Sequence, residues 1–250
     1  MYSRRKVLAG LLSIGCIPRC ACAQAGYFGC VISDQRLAST LGNNPMMFAF
    51  DINKDAYENG SGNKDFDRAL AITLTKLSDS FDILPGFAFF HEGDEGANAF
   101  ASRSRRLGRA DGSVVFGKVL LNLLMRSRDN PELRVAAVCA HEFAHIMQYR
   151  LSLENRLVGP DRRVKRLELH ADFMAGYFAG LRKKERPDFP AAVFAQTQFS
   201  FGDTQYNDPD HHGTPDERGQ AVVAGFQASH RDGKGLGDAI EEGIRFVSKT

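Results

Sequence analysis

Apolar residues recur every three or four positions in seven segments of the chain, which is the period of a helix with one buried face. Most of these segments lie in the second half of the sequence. The spacing predicts helices over residues 65–81, 119–127, 131–150, 161–184, 187–199, 214–230 and 236–249. We therefore expect a mainly helical protein.

Three short apolar runs have the length and the composition of strands. They are GFAFF at 86–90, NAFAS at 98–102 and SVVFGK at 113–118. A polar connection that contains glycine joins the second run to the third, which suits a hairpin or a sheet edge. Because the strands cluster early and the helices late, without β-α-β alternation, we predict an α+β fold with a small antiparallel sheet.

Residues that favour helix N-termini precede three of the predicted helices. Asn130 stands at one start and is followed by Pro131 in the first helical position. Asp161 is the expected cap of the next long helix. Thr214 and Glu217 have the spacing of a capping box at the start of the penultimate helix.

The first 25 residues have the pattern of an export signal. A basic start at residues 4–6 precedes an apolar run from Val7 to Ile17, and Ala-Gln-Ala before Gly26 is a cleavage pattern. The apolar run is too short to span a bilayer as a stable helix. We expect residues 1–25 to be a signal peptide and residues 26–250 to form one exported domain, periplasmic or secreted, with no stable membrane span.

The export route stays open at this point. The paired Arg4 and Arg5 resemble a twin-arginine signal, but Val7 occupies the place of the usual aromatic residue, so the Sec route is also possible. A lipoprotein signal with Cys16 as the acylated residue is less favoured, because Ser13 stands where a bulky aliphatic residue is expected.

Removal of the signal changes the net charge of the protein. The whole chain has 32 Lys and Arg against 30 Asp and Glu, and the first 25 residues hold four of the basic residues and no acidic one. The remaining 28 basic and 30 acidic residues give a net charge of −2. This balance provides no general basic surface for nucleic acid or for an anionic membrane.

Two cysteines, Cys30 and Cys139, remain after the signal, and they can pair in an oxidising compartment. Cys139 precedes His141 by two positions, so it lies on the opposite side of the predicted helix, in the core. No Cys-x-x-Cys motif remains for a metal or redox site.

The segment HEFAH places His141 and His145 four residues apart in a predicted helix. At that spacing both imidazoles project from one face and can bind one ion, while Glu142 stands beside them and can hold a water. Apolar residues flank the motif on both sides, and buried imidazole and carboxylate groups need partners. The spacing predicts a zinc site.

A catalytic zinc site needs a third protein ligand and an open position. The segment ELHAD supplies Glu168 and Asp172 on one helix face, whereas His170 points to nearly the opposite side. One carboxylate can complete the coordination, and the other can hold a ligand histidine through its second ring nitrogen. The spacing alone does not decide which carboxylate has which role.

With these residues the chain resembles the gluzincin zinc metallopeptidases. The most similar branch holds the CAAX prenyl endopeptidases, the heat-shock peptidase HtpX and soluble neutral zinc peptidases. The resemblance rests on HEFAH and ELHADFMAG, and it extends over about residues 95–220. It implies a zincin-like domain that binds Zn²⁺ through His141, His145 and Glu168, with Asp172 as the aspartate of the family motif.

Two further segments extend this resemblance. Residues 98–121 resemble the edge strand of the family and the segment after it, where an extended substrate pairs. HGTPDER at 212–218 resembles the later His-x5-Arg motif, which implies that His212 lies near the reacting carbonyl and that Arg218 buttresses the site. The chain departs from the membrane-bound members at Gly213, where those members usually have proline.

The implied function is that of an exported zinc-dependent endopeptidase that acts on peptides or unfolded proteins. Glu142 takes a proton from the attacking water, and His212 stabilises the oxyanion, with His211 and Tyr206 as alternative donors. Two alternatives stay open. One is a zinc-binding interaction module without proteolysis, and the other is a zinc hydrolase of a non-peptide amide.

Overall fold

The chain forms a small sheet and a larger set of helices in the computed structural model, which describes residues 46–48, 60–92, 96–105, 107–158, 163–208 and 210–250. In chain order the elements are β1 (Met46–Phe48), α1 (Lys64–Phe81), β2 (Gly86–Phe90), β3 (Ala99–Ser102), β4 (Ser113–Gly117), α2 (Lys118–Met125), α3 (Pro131–Arg150), α4 (Glu154–Leu157), α5 (Lys165–Glu185), α6 (Ala192–Ser200), α7 (Pro215–His230) and α8 (Leu236–Val247). The fold is α+β and mainly helical, as predicted. The signal-like segment 1–25, Cys30 and Asp161 lie outside the described residues.

The sheet is mixed, so the prediction of an antiparallel sheet is wrong. Its strand order is β1-β2-β4-β3. β1 pairs with β2 and β3 pairs with β4 in antiparallel directions, whereas β2 and β4 are parallel. The predicted β3–β4 hairpin forms, but β4 returns between β3 and β2.

Alternate residues of the central strands supply the apolar face of the sheet. The ring centroids of Phe87 and Phe89 on β2 lie 6.3 and 6.2 Å from that of Phe116 on β4 and 5.4 Å from each other. All three rings belong to the main hydrophobic core. β3 and β4 contact α3, so the edge strand β3 lies beside the helix that carries the histidine motif.

The helix α3 is buried on all sides along most of its length, from Val135 to Tyr149. The helix α5 packs against it and is itself buried from Leu167 to Gly180. Glycines allow α7 to approach α5 closely, because a side chain at Gly176 would collide with the backbone carbonyl of Val222. Imidazole and carboxylate groups on α3 and α5 are thereby removed from water.

Two of the three predicted helix starts are confirmed, at Asn130 and at Thr214. Thr214 and Glu217 form a capping box on α7, with hydrogen bonds of 3.2 and 2.9 Å. Asn130 stands at the N-cap position of α3, but its backbone is left-handed with φ 50° and its side chain makes no capping hydrogen bond. α5 begins at Lys165, so Asp161 is not its cap. The N-cap position belongs to Val164, which is buried and makes no capping hydrogen bond.

Cys139 has a free thiol and is buried in the core, as predicted. Burial raises the pKa of this thiol far above its ordinary value.

No helix in the described part of the chain combines the length and the apolar character that a bilayer span requires.

Candidate metal centre

The helix α3 carries His141 and His145 on one face, one turn apart. Both side chains are buried, and their rings are nearly perpendicular, with centroids 4.7 Å apart. Their Nε2 atoms are 3.1 Å apart. The two rings therefore direct the same nitrogen toward a common point.

Glu168 on α5 brings a carboxylate to the same point. Its Oε2 lies 3.2 Å from Nε2 of His141, and its Oε1 lies 3.5 Å from Nε2 of His145. One donor atom from each of the three residues lies within 4.8 Å of the other two, and all three side chains are buried. This buried group can hold a metal ion.

Asp172 does not join this group of donor atoms, although it lies on the same face of α5 as Glu168. Its Oδ1 is 2.8 Å from Nδ1 of His141, the ring nitrogen on the far side from the site. Arg218 of α7 donates to both oxygens of Asp172, at 2.7 and 3.0 Å. An ionised carboxylate only accepts hydrogen bonds, so Nδ1 of His141 carries the hydrogen and Nε2 presents a lone pair.

His145 has the same arrangement through an amide. Its Nδ1 lies 2.8 Å from Oε1 of Gln148, and Nε2 of Gln148 donates to the carbonyl oxygen of Leu167 at 2.9 Å. That backbone carbonyl orients the amide so that the oxygen faces His145. The hydrogen of His145 is therefore on Nδ1, and its Nε2 also presents a lone pair.

Three acceptors thus converge on one buried point, an arrangement that favours a positive charge between them. The pKa values agree with this electrostatics. Burial by itself lowers the pKa of His141, but the negative charges of Asp172 and Glu168 raise it above its ordinary value. Burial by itself raises the pKa of Glu168, but positive charge on the His145 and His212 imidazoles beside it holds that pKa well below its usual range.

His212 lies beside this group, in the loop before α7. Its charge lowers the pKa of Glu168. Asp203 holds the loop, because its carboxylate accepts from the backbone N–H of His212 at 3.2 Å and from Nδ1 of His211. Neither histidine is a solvated loop residue, since both side chains are nearly buried. The ring of Tyr206 packs on His211, but Tyr206 itself is largely exposed.

Glu142 is buried next to His141 on α3. Its negative charge contributes, after burial, to the raised pKa of the Cys139 thiol one turn away. The core therefore holds a carboxylate directly after the first histidine of the pair.

Some polar residues around the site were not singled out in the sequence. Gln198 of α6 donates to the carbonyl of Ala137 at 3.2 Å and accepts from Nη2 of Arg218 at 3.0 Å. Gln148 follows His145 by three positions on the same helix, so the spacing rule that identified the two histidines could also have identified Gln148.

His170 is fully buried away from the donor atoms, and burial lowers its pKa to about 4.

Comparison of the chain with models of known protein families, with curated proteins and with solved structures found no match.

Proposed function

We propose that the protein is an exported zinc-dependent endopeptidase of the gluzincin type. The observation that carries this proposal is the buried triangle formed by Nε2 of His141, Nε2 of His145 and the carboxylate of Glu168. Glu142 is buried on the same helix and lies between the two histidines in the sequence. A site with only a structural role has no need for that additional buried carboxylate.

The size of the triangle supports zinc as the metal. Donor atoms bound tetrahedrally to zinc at about 2.0–2.1 Å lie about 3.3 Å from one another. The separations here are 3.1 Å between the two Nε2 atoms, 3.2 Å from Nε2 of His141 to Oε2 of Glu168, and 3.5 Å from Nε2 of His145 to Oε1 of Glu168. Two imidazoles and one carboxylate are also a donor set that suits zinc and leaves a fourth position for water or substrate.

The residues around the triangle have the properties that hydrolysis of a peptide bond requires. When bound, zinc supplies an acidified water and a Lewis acid for the carbonyl group. Glu142 accepts the proton of the attacking water and returns it to the leaving amine. His212 donates to the oxygen that becomes negative, while Asp203 holds its loop and Arg218 holds the carboxylate behind His141.

The position of β3 supports a peptide as the substrate. Among the described strands β3 has a neighbour on one side only, and it contacts α3. An extended chain can add to such an edge through backbone hydrogen bonds. A peptide bound in this way would run along the helix that carries His141, Glu142 and His145.

Hydrolysis of unfolded casein by the purified protein tests this function. We expect cleavage that stops on addition of a zinc chelator and returns when zinc is restored. A wild-type protein that binds zinc but cleaves no protein or peptide would instead favour the interaction module. Cleavage restricted to non-peptide amides would favour the third interpretation.

A further inference from the structure

A buried series of hydrogen bonds joins His145 to the C-terminal helix α8. The Nδ1 of His145 lies 2.8 Å from Oε1 of Gln148, and Nε2 of Gln148 lies 3.0 Å from Nδ1 of His170. The Nε2 of His170 lies 3.3 Å from the carbonyl oxygen of Ile240. All three side chains are fully buried, so these groups satisfy one another and not the solvent.

Two backbone carbonyls determine the direction of every bond in this series. The carbonyl of Ile240 can only accept, so Nε2 of His170 carries a hydrogen and Nδ1 presents a lone pair. The carbonyl of Leu167 accepts from Gln148 at 2.9 Å, which places the amide nitrogen on that side. The second amide hydrogen then reaches His170. The amide oxygen faces His145, whose Nδ1 must therefore be the donor.

We propose that Gln148 and His170 are positioning residues, which hold His145 with its Nε2 lone pair toward the metal site. The proposal rests on metal binding at that site, as the proposed function does, but not on proteolysis. Without the amide oxygen, the hydrogen of His145 can move to Nε2 or the ring can rotate. Either change removes a lone pair from the donor triangle.

The close packing of α8 against the His170 ring supports a defined position for this ring. Gly243 of α8 faces this ring, and a Cβ atom there would lie 3.0 Å from Cδ2 and 3.1 Å from Nε2 of His170. Cδ1 of Phe173 would also lie 3.0 Å away. Such contacts are tighter than ordinary van der Waals distance, so a side chain at 243 requires the rings of His170 and Phe173 to shift by a few tenths of an ångström. Gly237 on the same helix has no atom within 4 Å of the equivalent position.

Four variants and one matched control separate positioning from general stability. Gln148→Leu and His170→Leu remove the hydrogen bonds, whereas His170→Asn keeps a side-chain oxygen near the place of Nδ1 as an acceptor for Gln148. Gly243→Ala disturbs His170 from α8 without touching a proposed ligand. Gly237→Ala is its matched control, because it makes the same glycine-to-alanine change in the same helix in open space.

Two measurements on each purified protein test the proposal without any assay of hydrolysis. Competition with a chelator gives the zinc affinity. We expect Gln148→Leu and His170→Leu to weaken it by about 10- to 100-fold, as is typical when a hydrogen-bond partner of a ligand histidine is lost. His170→Asn should remain within a few-fold of the wild type. Gly243→Ala should bind more weakly than Gly237→Ala.

Proton NMR of the cobalt-substituted protein reports on the histidine hydrogens directly. The wild type should show two strongly shifted signals that disappear in heavy water, one from Nδ1–H of His141 and one from Nδ1–H of His145. In Gln148→Leu one of them should be lost or displaced while the other stays, so His141 serves as the internal reference.

The outcomes distinguish this proposal from the proposed function. Unchanged zinc affinity and two unchanged signals in Gln148→Leu and His170→Leu would overturn the positioning role, even if both variants melt at lower temperature. If those variants do not fold, equal affinity and equal spectra for Gly243→Ala and Gly237→Ala would overturn it. A wild type that binds no metal would overturn the metal site itself, and the positioning role with it.

Discussion

Asp172 lies behind His141, with Oδ1 2.8 Å from the Nδ1 atom that faces away from the donor triangle. Glu168, four residues earlier on the same helix, reaches Nε2 of the same ring at 3.2 Å. Two carboxylates on the same face of one helix thus contact opposite nitrogens of one imidazole ring. Arg218 accounts for the difference, because its guanidinium donates to both oxygens of Asp172.

This division predicts different effects of removing each carboxylate. Glu168→Ala removes a proposed ligand, so its zinc affinity should fall further than that of Asp172→Asn. Asp172→Asn keeps an acceptor for His141 and should weaken zinc binding by about 10- to 100-fold. Zinc titration against a competing chelator measures both. The reverse order would mean that the roles of the two carboxylates are exchanged.

The double variant His141→Ala, His145→Ala should lose the metal. Full zinc occupancy in this variant would place the metal elsewhere.

Glu142→Gln is expected to separate metal binding from catalysis. The amide keeps the size of the side chain but cannot accept the proton, so peptide hydrolysis should fall by about 10²- to 10⁴-fold. Zinc content and melting temperature should stay close to the wild type. The comparison requires one peptide, saturating zinc and both proteins. Hydrolysis at nearly the wild-type rate would rule out the proposed mechanism.

Arg218 should be important for stability as well as for the site. Its side chain and that of Asp172 are almost completely buried, and removal of one partner leaves an uncompensated charge in the core. Arg218→Ala should therefore lower the free energy of unfolding by about 3–5 kcal/mol. The exposed pair of Arg231 with Asp232 offers the control, since Arg231→Ala should not change stability measurably. Equal effects in denaturant titrations would contradict the importance of the buried pair.

Acidification should remove a stabilising contribution of Glu217. Burial by itself raises the pKa of Glu217, but hydrogen bonds from the Thr214 backbone and Lys165 lower it below its ordinary value of 4.5. A lowered folded-state pKa gives stability that is present above the ordinary value and is lost as the pH falls through the lowered one. Glu217→Gln retains an acceptor for the capping box but lacks the charge that pairs with Lys165.

The free energies of unfolding of wild type and Glu217→Gln should therefore differ at pH 7 and converge below about pH 4. Denaturant titrations across this pH range measure the difference. If the difference in free energy of unfolding stays constant or widens on acidification, the charge of Glu217 is not its source.

Export is expected to depend on the N-terminal segment. If the twin-arginine route is used, replacement of Arg4 and Arg5 by lysine should retain the protein in the cytoplasm with its N-terminus intact. Cell fractionation and N-terminal sequencing of the retained protein measure this. Unchanged export would point to the Sec route, and an intact N-terminus on wild-type cytoplasmic protein would contradict export.

Local periodicity was sufficient to predict most elements and to single out the three residues of the candidate metal centre. His141 and His145 share a face because they are four positions apart on a helix, and this geometry needs no information from other parts of the chain. The same rule identified Glu168 and Asp172 as a pair. The capping box at Thr214 also forms from residues within one turn, so it was predictable for the same reason.

Tertiary contacts decided what this periodicity left open. Glu168 and Asp172 have the same helical phase, and only Arg218, which is 46 positions beyond Asp172, distinguishes the partner of His141 from the donor to the site. The parallel pairing of β2 with β4 likewise depends on where β4 inserts, a choice between non-adjacent segments.

The tautomer of His145 was also beyond local prediction. It follows from the orientation of one amide, and the carbonyl groups of Leu167 and Ile240 on two other helices determine that orientation. A sequence pattern records which side chains share a face of one helix. It does not record which backbone acceptors another helix will bring against that face, because packing of the complete core determines those positions.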